Sequence, residues 1–358
     1  MKKINALLLI SLTLFTSAFA QHKTQNLVII TMDGMRWQEV FGGVDSAILS
    51  NRKFAKDSAA IEKKYGGPDA KERRQKLFPF LWGTVAAQGQ LYGNRNVGSL
   101  VNVTNRYWFS YPGYNEIFTG YADTAVNSND KIPNPNENVL EFINKQPGYK
   151  GKVAAFSTWD CFAYILNKWR SGIYVNSDID TLHFNDASLK LINDIQLLTA
   201  KPIDVRPDVL TYFAGREYLK AYQPKVLYIA FDETDDYAHA GQYGQYLKSA
   251  HAEDAMLADL WQTLQTMPGY KNNTTLIVAC DHGRGDKVKE QWTSHGAKVE
   301  GADQIWIAAI GPDTKPLGEL TSNPQIYQRQ LATTFAALLG LDFTTPHTTM
   351  EPINSIIK

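Results

Sequence analysis

The chain has 358 residues, with 36 Lys+Arg against 36 Asp+Glu, 44% hydrophobic and 12% aromatic content. These values describe a globular protein with a large core and exclude collagen, coiled coil, disorder and a membrane bundle. Charge balance also removes the basic face on which sequence-independent binding to nucleic acid depends, so no nucleic-acid duplex is expected as partner.

The first twenty residues read as a secretory signal peptide: Lys2 and Lys3, a largely apolar run from Ile4 to Phe15, then Ala18-Phe19-Ala20 as a cleavage site. The run is short for a span of about 20 residues, so cleavage is expected and no membrane anchor afterwards, with the mature chain periplasmic or secreted. Cys161 and Cys280 are too few for a disulfide framework. A single bridge between them stays open; the preferred reading is two small buried apolar side chains, since Cys280 ends an apolar run.

Short apolar runs then recur at Leu27–Ile30, Val153–Phe156, Val226–Ala230, Leu276–Ala279 and Ile305–Ala309, with helical stretches between them. Continuously apolar strands are buried on both faces, as in a parallel sheet. The alternation predicts an α/β fold: a doubly wound, mostly parallel sheet sandwiched by helices. Leu247, Ala250, Leu257, Leu260 and Leu264 keep a helical spacing broken only by Asp254, and a last helix over 325–339 ends at Gly340. Residues near 42–76 and 158–206 fit the rhythm less well and read as lid insertions in a single catalytic domain, 21–358.

Three of the runs end in acids. Asp33-Gly34 follows Met32, the stretch Asp232 to His239 follows Phe231, and Asp281-His282-Gly283 follows Cys280. In open α/β sheets the functional crevice lies beyond the carboxyl ends of the strands, so these residues should converge. Clustered carboxylates repel and take up protons unless a cation neutralises them, and oxygen plus imidazole donors without thiolate suit a divalent metal. Zinc heads the list, with manganese, iron and calcium left open. Any one of these Asp residues alone reads first as a turn or helix cap; it is the trio at three strand ends, two of them followed by His, that points to metal. In Trp108–Gly120, Pro112 starts a helical turn and places Ser110 near its N-cap, facing where an anion would bind. A serine hydroxyl becomes a nucleophile only with a base or a metal beside it, and alone Ser110 would read as a cap.

Taken together and in this order, the residues from Asp33 to His295 resemble the alkaline phosphatase superfamily, in the branch around the nucleotide pyrophosphatase/phosphodiesterases. The resemblance implies two divalent metal ions, zinc by family, one held by Asp235, His239 and His295 and the other by Asp33, Asp281, His282 and Ser110. It further implies a small-molecule phosphate ester as substrate and a phosphoserine intermediate on Ser110. The segment Ser110-Tyr111-Pro112-Gly113-Tyr114 lacks the arginine of the formylglycine sulfatases, and the Asp-Ser-Ala motif of the familiar bacterial alkaline phosphatases is absent. Asn134 and the Lys168-Trp169-Arg170 spacing match the substrate contacts of some secreted monoesterases in the superfamily. Asp232, Asp236 and Arg284 are candidates for orienting the imidazoles, while His22, His183, His251 and His347 match no motif. Alternative readings are a phosphotransferase or mutase, a sulfatase-like member of the same superfamily, and an inactive zinc-binding protein.

Overall fold

The computed structural model describes residues 23–201 and 204–357; the expected signal peptide, residues 1–20, and His22 lie outside them. Ten strands are present among the described residues: β1 (Asn26–Met32), β2 (Gln90–Tyr92), β3 (Val101–Asn102), β4 (Val153–Ser157), β5 (Tyr174–Ser177), β6 (Val226–Phe231), β7 (Thr274–Ala279), β8 (Ile307–Ile310), β9 (Gly318–Glu319) and β10 (Ile326–Tyr327). Eight form one sheet in the order β5-β4-β6-β1-β7-β8-β2-β9, and β10 pairs with β3. The sheet is mostly parallel, as its apolar runs predict. Only β8 runs against its neighbours, pairing antiparallel with both β7 and β2.

Every residue of β1, β4, β6, β7 and β8 is buried. Alternate side chains of a strand point to opposite faces, so both faces of this sheet are covered. The strands that pattern alone does not reveal are β2, β5 and β9 in the large sheet and β3 and β10 beside it. Of these, β2 is three residues long, and β5 carries Asn176 and Ser177 at the edge of the sheet. Since β5 belongs to the sheet, the stretch 158–206 is not wholly an insertion. The last helix spans Gln330–Leu338, shorter than expected, because Ile326 and Tyr327 pair with β3 as β10. Gly340 follows it with φ +71°, the left-handed conformation that glycine adopts without strain. Cys161 and Cys280 are free and buried.

Asp254, which interrupts the apolar stripe of the Tyr243–Thr266 helix, has a packing role. Its carboxylate accepts the N–H groups of Phe80 and Leu81 at 2.7 and 3.0 Å, capping the turn at Leu81–Val85. Burial pushes its pKa up to about 7, against the pull of those two bonds. A folded-state pKa above the unfolded one contributes stability at low pH that is lost as pH rises through the folded value. Asp254→Ala is therefore expected to lower stability by roughly 1–3 kcal/mol. Urea titrations should find a larger loss at pH 5 than at pH 8.

Candidate metal centre

The strands β6, β1 and β7 lie side by side in the middle of the sheet, with Met32 opposite Phe231 and Thr31 opposite Ala279. Their carboxyl ends therefore deliver Asp33, the Glu233–His239 helix and Asp281-His282 to one place. On that helix Asp235 and His239 are one turn apart and share a face. His295 arrives from the loop after the Lys289–Thr293 turn. Gly34, at φ +56°, bends the chain directly after Asp33. A Cβ there would lie 2.6 Å from Asp235 Oδ1 and 2.9 Å from Arg284 Nε. Gly34→Ala is expected to displace Asp235 and lower metal content per chain, measured by atomic emission on the purified protein.

Two donor groups result, sharing the neighbourhood of His282. In the first, His282 Nε2 is 3.5 Å from both Asp33 Oδ1 and Asp281 Oδ2, and Ser110 Oγ is 3.4 Å from the same nitrogen. In the second, His239 Nε2 is 2.9 Å from His295 Nε2 and 3.2 Å from Asp235 Oδ2, with His295 Nε2 3.9 Å from Asp235 Oδ1. Asp235 Oδ1 is also 3.7 Å from His282 Nε2, which joins the two groups. Four ligands around one zinc stand about 3.3–3.6 Å apart, which these separations bracket.

The wiring of each ligand fits a cation as well. Asp33 Oδ2 accepts from the Tyr114 hydroxyl and Asp281 Oδ1 from the Gly34 N–H, at 2.9 and 3.0 Å. The opposite oxygens, Asp33 Oδ1 and Asp281 Oδ2, are buried without a hydrogen-bond partner. A bare buried carboxylate oxygen is expensive unless a cation meets it. His282 Nδ1–H donates to the Gly283 carbonyl and His295 Nδ1–H to the Trp108 carbonyl, at 2.9 and 3.3 Å, leaving each Nε2 lone pair facing inward. Burial lowers the pKa of His282 well below the imidazole range and that of His295 to about 4, so both are neutral donors. Burial, then the neighbouring carboxylates Asp281 and Asp235, raises the Asp33 pKa, and burial raises that of Asp281. Burial acts the same way on Asp235 but is outweighed by Arg284 and the imidazoles, which hold it well below the usual carboxylate range.

Ser110 opens the Ser110–Thr119 helix, with Phe109 as the extended residue before it and no side-chain cap. Its hydroxyl is thus not spent on capping. Trp108 takes φ +55°, uncommon for a bulky residue, and this turn presents its carbonyl to His295. The helix start offers fewer donors than its sequence implies. The Tyr111 N–H donates to Asn129 Oδ1, Pro112 has none, and the Gly113 N–H donates to the Phe109 carbonyl. Among the described residues of this first turn, only the Ser110 N–H is left for an anion.

Three residues that sequence reasoning passed over support this arrangement. Glu116, buried, accepts three hydrogen bonds from Thr104, two of them sharing the backbone N–H, and two from Asn105, at 2.6–3.1 Å, and so ties the approach loop to the helix. Asn105 Oδ1 in turn accepts from Tyr107 N and Trp108 N. Asn129, next to the start of the Ser110 helix, has no partner for its Nδ2 among the described residues. The signal for Glu116 in the sequence is that it is the one charge in Ser110–Thr119.

Asn134, Lys168 and Arg170 are engaged elsewhere. Asn134 is buried and donates to Asn115 Oδ1. Arg170 pairs with Glu141 and donates to the carbonyls of Asn134, Pro135 and Asn136. Lys168 pairs with Asp180 at 3.5 Å. Arg284, buried, contacts the Asp235 carboxylate and the Gly34 carbonyl instead of an imidazole. The Asp232 N–H donates to Asp208, and neither Asp232 nor Asp236 has a hydrogen bond to an imidazole among the described residues. His251 bonds the Leu77 carbonyl, His347 stacks on Tyr121, and His183 meets Thr181.

Residues 48–294 match the sequence model of the family "Type I phosphodiesterase / nucleotide pyrophosphatase", well over half of the chain. The chain belongs to this family. Among solved structures it is similar to the wild-type alkaline phosphatase PafA, at 11% identity and TM-score 0.62, over 94% of this chain and 99% of that one. It is also similar to the lipoteichoic acid synthase LtaP from Listeria monocytogenes, at 14% identity and TM-score 0.60, over 94% and 76%. The third is BT1596, a 2-O GAG sulfatase, at 12% identity and TM-score 0.58, over 93% and 74%. These likenesses establish an alkaline phosphatase-like fold. A comparison with curated proteins finds no match. Family and fold support a phosphoester hydrolase or related activity, in a metal-dependent superfamily whose candidate ligand clusters this chain carries. Among the described residues no helix is long and apolar enough to cross a membrane.

Proposed function

We propose that the chain is a two-metal phosphodiesterase that acts on small-molecule phosphate diesters through a phosphoserine intermediate on Ser110. One observation carries this reading: two buried, unpartnered carboxylate oxygens and a neutral His282 Nε2 converge beside the uncapped Ser110 hydroxyl. Two divalent ions, zinc by ligand type, would be held by Asp235, His239 and His295 and by Asp33, Asp281, His282 and Ser110, and would supply the positive charge that acidifies the serine hydroxyl and neutralises the reacting oxygens. Ser110 Oγ attacks phosphorus in line; its proton passes to solvent, and the departing oxygen keeps the electron pair of the broken P–O bond. Water then cleaves the phosphoserine and restores the hydroxyl. The Ser110 N–H and the free amide of Asn129 are placed to donate to a non-bridging oxygen. The lysine-led apolar segment 1–20 supports export.

The preference for a diester follows from charge. A monoester brings a second anionic oxygen, and the two cations that could have met it, Lys168 and Arg170, are paired with Asp180 and Glu141. Turnover of bis(4-nitrophenyl) phosphate is therefore expected to exceed that of 4-nitrophenyl phosphate, with 4-nitrophenyl sulfate slower than both. A monoester rate above the diester rate would overturn the substrate class; tightly bound metal with no turnover of any ester would overturn the hydrolase.

A further inference from the structure

The loop 124–132 carries Asn129 and is mostly exposed, with Val126 alone buried. Two tyrosine hydroxyls from the segment around Ser110 tie down its ends. Tyr107 donates to the Thr124 carbonyl and Tyr111 to the Ile132 carbonyl, each at 2.6 Å. The two anchors differ in rigidity. Tyr107 is half-buried and lies before the helix, whereas Tyr111 is 3% exposed and sits in a helix whose residues are all buried.

Tyr111 holds Asn129 from two directions. Its N–H donates to Asn129 Oδ1 at 3.0 Å, and its hydroxyl fixes the backbone three residues further along the loop. An asparagine amide can turn over and so exchange its donor and acceptor ends. The Tyr111 N–H can only donate, so it selects the orientation that keeps Oδ1 against the helix and leaves Nδ2 as the outward end. Turned over, the amide would present an oxygen to an anion. That first bond needs the loop at the right distance from the helix, and the second bond sets the distance. The Cys161 thiol also approaches the Asn129 carbonyl, at 3.7 Å, but a thiol is a weak donor and this contact bears on the backbone alone. Burial, then the neighbouring Cys161, raises the Tyr111 pKa, so its hydroxyl stays a donor at neutral and mildly alkaline pH.

We propose that Tyr111 is a positioning residue: through the Ile132 carbonyl its hydroxyl holds the loop 124–132 so that the Asn129 amide donates to a non-bridging phosphate oxygen as Ser110 attacks. Tyr111 itself touches neither the substrate nor the reacting atoms. This rests on the phosphodiesterase reading above, in which Asn129 is a donor. Phenylalanine at this position would fill the same space and leave the loop untied.

The test is a double-mutant cycle of Tyr111→Phe and Asn129→Ala in the metal-loaded protein, with bis(4-nitrophenyl) phosphate as substrate. Asn129→Ala is expected to lower kcat/KM by about tenfold or more. Tyr111→Phe should lower it about fivefold, the loss of one tethering hydrogen bond, and in kcat more than in KM. In the Asn129→Ala background Tyr111→Phe should change the rate by less than about 1.5-fold, because the group it positions is gone. A merely structural role predicts the same loss in both backgrounds. As a readout independent of turnover, amide hydrogen exchange over 124–132 should be faster in Tyr111→Phe, with exchange elsewhere and metal content as in the wild type. Equal losses in the two backgrounds, or unchanged exchange in the loop, overturn this inference alone. Wild-type turnover that Asn129→Ala leaves intact removes Asn129 as a donor and the inference with it. No turnover by the wild type with metal bound overturns the phosphodiesterase reading, on which the inference stands.

Discussion

Ser110→Ala is expected to lower kcat on a diester by about 10³-fold or more while leaving metal content and thermal unfolding close to those of the wild type. The separation of effects is what gives the result its meaning. Ser110 caps no helix, its Oγ meets only His282 Nε2, at 3.4 Å, among the described residues, and alanine at the first helical position is well tolerated. Three buried acids and three histidines still hold the donor groups in the variant. A residual rate within tenfold of wild type would remove the nucleophile from Ser110 and move the attack to water.

Metal removal is the second large effect. Two ions bound at a hundredfold excess over Kd each stabilise the native state by about 2.7 kcal/mol, so chelation should lower stability by about 5 kcal/mol. The variant Asp281→Asn sharpens this. Its Oδ1 can still accept the Gly34 N–H, so the turn at β1 survives, but the bare Oδ2 that faces His282 becomes an amide. In the loaded state the variant should be less stable than wild type. After chelation the order should reverse, because the wild type then keeps a buried carboxylate whose ionisation burial opposes. Paired melts with and without chelator decide the matter; a variant less stable in both states would mean that Asp281 holds the fold by its hydrogen bonds and not by a cation.

Much of this centre could be read from the chain because the fold rule and the ligand chemistry point the same way. Acids just past buried apolar strands must sit in the crevice at the strand ends, and Asp33, Asp235 and Asp281 do lie at the ends of three adjacent strands. What escaped the sequence depends on side-chain direction. Lys168 and Arg170 have a suggestive spacing, but a charge two positions from another does not declare its partner, and Glu141 and Asp180 lie 29 and 12 positions away in the chain. The donors at the helix start were overestimated for the same reason: that Asn129 takes the Tyr111 N–H is a tertiary fact. The antiparallel course of β8 was hidden because burial on both faces makes strands of either direction read alike.

The central place of β1 has a bearing on how the protein matures. Its partners β6 and β7 lie about 200 and 250 residues further along the chain, contacts of the kind that form slowly and late. Asp33 meets Asp235 and Asp281 only when those pairings are complete, so a growing or partly folded chain holds no more than fragments of either donor group. Metal capture then works as a checkpoint: the ions reward the finished sheet and nothing before it, and they must come from wherever folding ends and not from where synthesis begins.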